Sequence, residues 1–344
     1  MSKKTEVQTE QIRKVAERIM RGGEEWAMNI ESWDWVPGVG MYALLRAAET
    51  LEDEEMMGFV RGWVERHGRR GHPVKTVNST APLLTVLGLW QRSGEPYYLE
   101  LCREYADWLL HEAPRTRENG LEHTVTEAVP GFREQIWADT LFMACIFLAR
   151  LGRLLDEPDY TAEAAEQLRI HHALLRDRES GLYYHGWNCA SGDWMSAARW
   201  GRANAWIAMS TTEMLEELPD RFPGRDEIVR SLQQHVEALR RCQRDNGMFG
   251  TLLNRPDSYD ETSATAGIAY GVLRAVSGGW VDLSARELAD KAAEAVLERI
   301  GMDGEVQGVS TGTPVMPTED AYKTVPVCPT LYGQGMTLLL LCER

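Results

Sequence analysis

The sequence predicts an all-α protein, an (α/α)6 barrel of six inner and six outer helices, on three observations. First, apolar residues recur at three- and four-residue spacing over about twelve segments, and no region alternates as strands do. Second, the odd-numbered segments are amphipathic and charged, whereas the even-numbered ones are apolar around most of their circumference. Third, links entering even segments run about 12 to 30 residues and those leaving them about 2 to 8, the ordinary range between packed helices. The long links therefore emerge at one end of the molecule. Buried helices alternating with exposed ones describe two concentric layers, and six such hairpins closed into a ring use residues 1–344 as one domain. An open solenoid of helical hairpins is the rival, but solenoid repeats usually resemble one another and these do not.

In chain order, Val7 to Arg21 is the first outer helix and Val39 to Glu52 the first inner one, with the charged Glu54 to His67 outside again. Ser79 to Gln91 is inner, because Leu83 to Trp90 carries no charge, and Pro96 to His111 is outer. Gln135 to Gly152 is inner on the strength of the run LFMACIFLA, Leu141 to Ala149, followed by Tyr160 to Arg176 outside. Ala198 to Leu218 is inner and Arg225 to Gln243 outer. Glu261 to Val276 is inner, since Thr262 to Leu273 is uncharged. Ser284 to Ile300 is outer, with Arg286, Glu287, Asp290, Lys291, Glu294, Glu298 and Arg299 demanding solvent, and Tyr332 to Cys342 closes the inner set.

With 344 residues and 44% apolar content the chain can bury a large core. Its 52 acidic against 37 basic side chains, a net charge of −15, argue against nucleic acid or an anionic membrane as the main partner. Apolar runs such as Leu338 to Leu341 are far too short to span a bilayer. The polar stretch Met1 to Glu10 lacks the apolar core of a secretory signal, so the chain reads as cytoplasmic, a monomer or weak homodimer. The six cysteines show no CxxC spacing and several sit in apolar helical stretches, which favours buried thiols over disulfides or zinc. No His/Asp/Glu set has metal-ligand spacing, no GxSxG elbow occurs, and the glycines near Gly308 and Gly312 lack the strand-to-helix context of a phosphate loop. Neither metal nor cofactor is expected.

The 12 tryptophans are the compositional outlier. Trp33, Trp35, Trp137, Trp187, Trp194, Trp200 and Trp206 all fall in or near the long links entering inner helices. The same links hold Val77-Asn78-Ser79-Thr80, Tyr184-His185-Gly186-Trp187, Glu261-Thr262-Ser263 and Tyr332-Gly333-Gln334-Gly335, so in a barrel these groups converge on one mouth. Indoles with a few hydrogen-bonding groups suit a sugar, whose C–H face packs on flat rings while its hydroxyls take directed partners; the plain alternative is that large aromatics plug the barrel end. Arg199 and Arg202, three apart near a helix N-terminus, offer forked donors to a carboxylate, or a salt bridge to an acidic neighbour such as Asp193. Asp139 is the carboxylate best placed for chemistry. It opens an apolar helix beside Trp137, Leu141 and Phe142, where desolvation raises its pKa and the helix N-terminus lowers it. If burial wins it is a usable proton donor, and otherwise a carboxylate stabilised by the dipole. Glu261 opens the tenth helix in the same way, as a second carboxylate or only a cap, and His185 stands out over His171 and His172, which lie on an outer helix.

Trp137-Ala138-Asp139-Thr140-Leu141-Phe142-Met143, then Tyr184-His185-Gly186-Trp187, then Trp200-Gly201-Arg202-Ala203-Asn204-Ala205-Trp206, then Glu261-Thr262-Ser263-Ala264-Thr265-Ala266-Gly267 resemble the unsaturated uronyl hydrolases of glycoside hydrolase families 88 and 105. Gly308-Val309-Ser310-Thr311-Gly312-Thr313 and Tyr332-Gly333-Gln334-Gly335 extend the likeness, which runs from about Trp33 to the C-terminus and is closer to family 105. The resemblance implies an (α/α)6 barrel whose partner is a small oligosaccharide with a 4,5-unsaturated uronic acid at its non-reducing end, the product of a polysaccharide lyase. It implies hydration, with Asp139 protonating C4 and assisting water attack at C5, one versatile acid in place of a glycosidase pair. It also implies that His185 hydrogen-bonds the sugar, that Arg202 meets its carboxylate or hydroxyls, and that Trp206 is a stacking wall; Trp35, Trp137, Trp187 and Arg199 complete the expected substrate-binding set. Two departures stand out. Asn78 replaces an aspartate frequent in relatives and cannot titrate, and His123-Thr124 stands where some relatives carry lysine. The alternatives are an inverting glycosidase pairing Asp139 with Glu261, and a sugar epimerase on the same barrel with His185 as base.

Overall fold

A computed structural model describes residues 3–68, 74–126 and 131–344. The helices are α1 (Lys3–Arg21), α2 (Trp35–Leu51), α3 (Glu54–Gly68), α4 (Val77–Thr80), α5 (Leu83–Ser93), α6 (Pro96–His111), α7 (Ile146–Leu155), α8 (Pro158–Leu175), α9 (Gly201–Glu217), α10 (Arg225–Cys242), α11 (Thr262–Ser277), α12 (Ala285–Leu297), α13 (Glu319–Tyr322) and α14 (Leu331–Glu343). α2 packs on α5, α5 on α7, α7 on α9, α9 on α11, α11 on α14, and α14 returns to α2. That closure makes a ring of six and removes the open solenoid. Outside it, α1 lies on α14 and α2, α3 on α2 and α5, α6 on α5, α8 on α7, α10 on α9 and α12 on α11. The two layers follow the charge pattern: α11 is buried from Thr262 to Ala275, whereas α10 buries only one stripe, Ile228, Ser231, Leu232, His235, Val236, Ala238 and Leu239.

Two predicted helices are interrupted, each for a local reason. The segment predicted from Ser79 to Gln91 splits into α4 and α5, because Pro82 has no N–H to continue the ladder; Ala81 N–H closes a tight turn on Asn78 O at 3.3 Å before the helix resumes. Thr76 and Ser79 form a reciprocal capping box that fixes the start of α4. The segment predicted from Gln135 is helical only from Asp139; Gln135–Trp137 is instead a strand, β1, paired antiparallel with β2 (Gly186–Asn188). A five-residue π-helical turn, Leu141–Cys145, then leads into α7, an irregularity that often accompanies a functional site.

The N-termini of the inner helices gather at one end with the long links. The other end is closed by ion pairs between inner helices. Glu213 on α9 meets Arg150 of α7, Tyr42 of α2 and Tyr270 of α11, and Glu217 meets Arg150 and Arg153. Burial raises the Glu213 pKa, but the guanidinium charges of Arg274, Arg150 and Arg46 with the Tyr270 hydroxyl outweigh it and bring it down to about 2. Arg274 ties α11 to Glu216 and to Glu343 on α14.

Candidate active site

At the open end a cavity of about 240 Å3 is lined by Trp26, Trp35, Asn78, His123, Val125, Phe132, Trp137, Asp139, Met143, Trp200, Arg202, Gly312, Thr313 and Pro314. Its volume lies below the roughly 300 to 1,000 Å3 of pockets that enclose a drug-sized ligand, so it suits the end of a chain. Among these residues Asp139 is the one carboxylate and Arg202 the one arginine. The walls are aromatic: Trp35 stacks on Tyr332 with centroids 4.7 Å apart, and Trp137 lies parallel to the His123 ring at 4.4 Å with Phe132 tilted against it. A Cβ on Gly312 would fall 2.7 Å from the Trp26 indole, so only glycine lets that loop close on the ring.

The β1–β2 pair sets Asp139 beside His185. Trp137 pairs with Gly186, and Ala138 N–H donates to His185 O at 3.0 Å, so the residues next to each strand end are forced together. A Cβ on Gly186 would lie 2.8 Å from both Met195 and Val315, which leaves no larger residue at that crossing. Asn204 on α9 holds the approach to β2. Its amide donates to Tyr183 O and Trp200 O, and its carbonyl accepts from Tyr183 N–H, all at 2.9 Å.

His185 is 1% exposed, with Nε2 3.3 Å from Asp139 Oδ2 and Nδ1 2.7 Å from the Tyr322 hydroxyl. Burial lowers the His185 pKa despite the neighbouring carboxylate, and burial brings His123 down to about 4, so both imidazoles are neutral near pH 7. Asp139 reverses the expectation that burial could win. Desolvation raises its pKa, but the close approach of the His185 ring at 3.3 Å, with the favourable electrostatics of His185, His123 and the Arg202 guanidinium, holds it below the ordinary aspartate value.

Arg202 is fully buried and stacks between Trp200 (4.3 Å) and Tyr332 (4.9 Å). Its guanidinium donates to Ser310 Oγ (2.6 Å), Ser310 O (3.1 Å), Thr311 O (2.9 Å) and Thr313 Oγ1 (3.2 Å), and reaches Glu261 Oε1 at 3.4 Å. Glu261 is 0% exposed and caps α11 through Ala264 N–H, while also accepting from Ser263 Oγ and Ser310 N–H. It is a cap that anchors the Ser310–Thr313 loop, and it does not line the cavity.

Of the expected binding residues, Asn78, Trp35, Trp137 and Arg202 come together with Asp139 at the cavity. Three lie elsewhere. Trp206 is buried in the barrel against Phe142, one helical turn too deep to offer a wall. Arg199 turns outward onto Asp177 (2.8 Å) and Tyr184, so the salt-bridge alternative holds with Asp177 in place of Asp193. Trp187 faces the other side of β2 and packs edge-on to Trp194. His185 stands behind Asp139 and outside the lining, as does the whole of Tyr322. Residues missed in the sequence are Trp26, Val125, Phe132 and Pro314; Met143, Trp200, Gly312 and Thr313 lie inside the runs that carry the family resemblance but were not singled out as lining residues.

Comparison with known proteins identifies the chain's relatives. Residues 11–344 match the model of Glycosyl Hydrolase Family 88. A protein of Bacillus subtilis described as an unsaturated rhamnogalacturonyl hydrolase is 36% identical over 335 residues, 97% of this chain and 95% of its own. Crystal structures of possible members of family GH105 from Salmonella enterica and Klebsiella pneumoniae superpose with TM-scores of 0.93 and 0.93 at 32% and 33% identity. They cover 98% and 100% of this chain and 93% of each of theirs. The chain belongs to glycosyl hydrolase family 88.

Proposed function

We propose that this protein removes a 4,5-unsaturated uronic acid from the non-reducing end of a lyase-generated oligosaccharide by hydrating the C4–C5 double bond. The observation that carries the reading is the lone carboxylate: among the described lining residues only Asp139 is acidic, and Asn78, also in the lining, cannot ionise. An inverting glycosidase needs two carboxyl groups with a water between them, and Glu261, with its oxygens engaged by the α11 cap, Ser310 and Arg202, is not free for that role. An epimerase base at His185 lacks access to the cavity.

The protonated Asp139 delivers its proton to C4, and the ring oxygen stabilises the cation that develops at C5. The resulting carboxylate then accepts a proton from the water that adds to C5, which returns Asp139 to the acid. The C5 hemiketal opens to a ketone, leaving a hemiacetal at C1 that expels the rest of the chain. Trp35, Trp137 and Trp200 supply faces for the sugar, Asn78 a hydroxyl partner, and Arg202 with the inward-pointing N-termini of the inner helices a positive field for the uronate. The cavity admits one terminal sugar, in keeping with removal of an end residue.

The Bacillus subtilis relative supports a galacturonyl–rhamnose disaccharide as the first substrate to try. We take residues 1–344 as one catalytic domain that works as a monomer or weak homodimer. A cytoplasmic setting is supported by six unpaired cysteines, three of them buried. No described helix is long and apolar enough to cross a membrane. The test is incubation with unsaturated disaccharides from pectin and from glycosaminoglycans, following the near-ultraviolet absorbance of the conjugated double bond. Loss with one of them establishes hydration and names the leaving sugar, whereas no loss with any, together with cleavage of saturated glycosides, overturns the reading.

A further inference from the structure

The geometry points to Tyr322 as a positioning residue for this reaction: its hydroxyl holds His185 in the tautomer that presents Nε2–H to Asp139. The inference rests on the hydration reading above only for its catalytic consequence; the hydrogen bonds of the Tyr322 hydroxyl to His185 and Met316 stand on their own. Tyr322 and His185 are 0% and 1% exposed, and the Tyr322 oxygen lies 2.7 Å from His185 Nδ1 and 3.1 Å from Met316 N. A neutral imidazole has one N–H and one lone pair. The atom facing Nε2 is an Asp139 carboxylate oxygen 3.3 Å away, off hydrogen-bond alignment but close enough for its negative charge to favour the ring proton on Nε2. Nδ1 is then an acceptor and takes the Tyr322 O–H, while the Tyr322 oxygen accepts from Met316 N–H.

The groups around the imidazole come from several elements. Asp139 precedes α7, Arg202 belongs to α9, the Trp137 and Trp200 rings flank it at 5.4 and 4.2 Å, and His123 lies beyond Trp137. None of these offers Nδ1 a second partner in place of Tyr322. To become an imidazolium, His185 would need an acceptor at Nδ1, and the Tyr322 oxygen would have to turn its own proton away and accept twice. Tyr322 therefore keeps His185 from taking the proton that Asp139 must deliver to C4. Tyr322 is itself held by α13. Thr318 caps its start, and Arg255 pairs with Glu319 and Asp320, both at 3.2 Å; Lys323 reaches Asp257 at 2.6 Å. The same connection supplies Gly312, Thr313 and Pro314 to the cavity, so one segment shapes the pocket and sets the tautomer behind it.

The test reads the imidazole directly and then the rate. Ring nitrogen chemical shifts are recorded on 15N-histidine-labelled protein, with His185→Gln assigning the signal, for wild type and Tyr322→Phe. We expect the Nε2–H tautomer in the wild type near pH 7 and increased imidazolium character in Tyr322→Phe. With an unsaturated disaccharide as substrate, the high-pH limb of the Tyr322→Phe kcat profile should move down by about one pH unit, giving roughly tenfold lower kcat above it with KM within about twofold. A wild-type ring in the Nδ1–H tautomer overturns the inference, even if the variant fails to fold. So does a folded variant with unchanged nitrogen shifts, or one whose kcat falls equally at every pH. If the wild type consumes none of the disaccharides, the hydration reading fails while the nitrogen spectra still decide the hydrogen-bond chain.

Discussion

At the scale of single residues, the proposed chemistry turns on a carboxyl group held below its ordinary pKa that must give up a proton. In the free protein, His185 and the charges around Asp139 outweigh desolvation and favour the carboxylate. A uronate entering the same 240 Å3 cavity adds a negative charge and displaces water, both of which raise the Asp139 pKa. Substrate thus loads its own catalyst. The pH–rate profiles should show this as a descending limb at higher pH in kcat, which reports the complex, than in kcat/KM, which reports the free enzyme. Initial rates across pH 6 to 8.5, where the barrel stays folded, should show kcat/KM already falling with pH while kcat still holds a plateau, and a kcat that falls in parallel with kcat/KM throughout would count against substrate-driven protonation. Asp139→Asn keeps the shape and loses the acid; kcat should fall by about a thousandfold or more with an unchanged melting temperature. Substantial residual turnover would assign the proton transfer elsewhere.

Among elements, the loop Ser310–Pro314 is tied to the chain near Val327 by a single bridge and is otherwise held largely by two buried side chains, Arg202 from α9 and Glu261 from α11. Glu261→Gln keeps an acceptor but removes the charge opposite Arg202, which is destabilising by about 1–3 kcal/mol on the scale of charged hydrogen bonds. It should lower the melting temperature and raise KM as the loop loosens, with kcat within about threefold. A two-carboxylate glycosidase would instead lose kcat by orders of magnitude with little change in KM, so steady-state kinetics with thermal unfolding separate the two. The same loop shows what was legible in the sequence. Long segments with unbroken apolar periodicity, such as Pro96–His111, emerge with their predicted bounds, and the alternation of inner and outer helices gives the ring. Asp139, Trp137, Asn78 and Arg202 were visible because each sits at or near the start of an inner helix. Trp26 opens a single three-residue 3-10 turn, and Phe132 and Pro314 lie in irregular backbone, so neither length nor path leaves a period to read. The β1–β2 pair was hidden for another reason: three-residue strands are too short for alternation to show, so Gln135–Trp137 merged with the helix that follows. Tyr322 lies 137 residues from His185, and no local spacing announces such a contact.

For the whole molecule, the barrel buries several histidines as neutral groups, and this sets its response to acid. Burial lowers His123 and His171 to about 4, and His172 and His235 to about 3, against about 6.5 in an unfolded chain. Between those values the unfolded chain binds protons that the folded barrel cannot, so stability falls as pH drops below about 6.5 and the loss saturates only near the folded values. Each full shift corresponds to a few kcal/mol, a large part of the roughly 5–15 kcal/mol that holds a typical domain, and because His171, His172 and His235 act on one another their effects do not simply add. Glu213 acts with the opposite history: its folded pKa of about 2 contributes stability above about pH 4.5, which is lost as pH falls toward 2. The histidine window comes first on acidification, so the barrel should unfold between about pH 6 and 4, while the Glu213 ion pairs are still intact. Thermal unfolding followed by tryptophan fluorescence from pH 8 to 4 should show a melting temperature flat above pH 7 and falling steeply below 6. A melting temperature constant down to pH 4.5 would mean that these imidazoles take up protons inside the folded barrel, with water reaching the layer between its inner and outer helices.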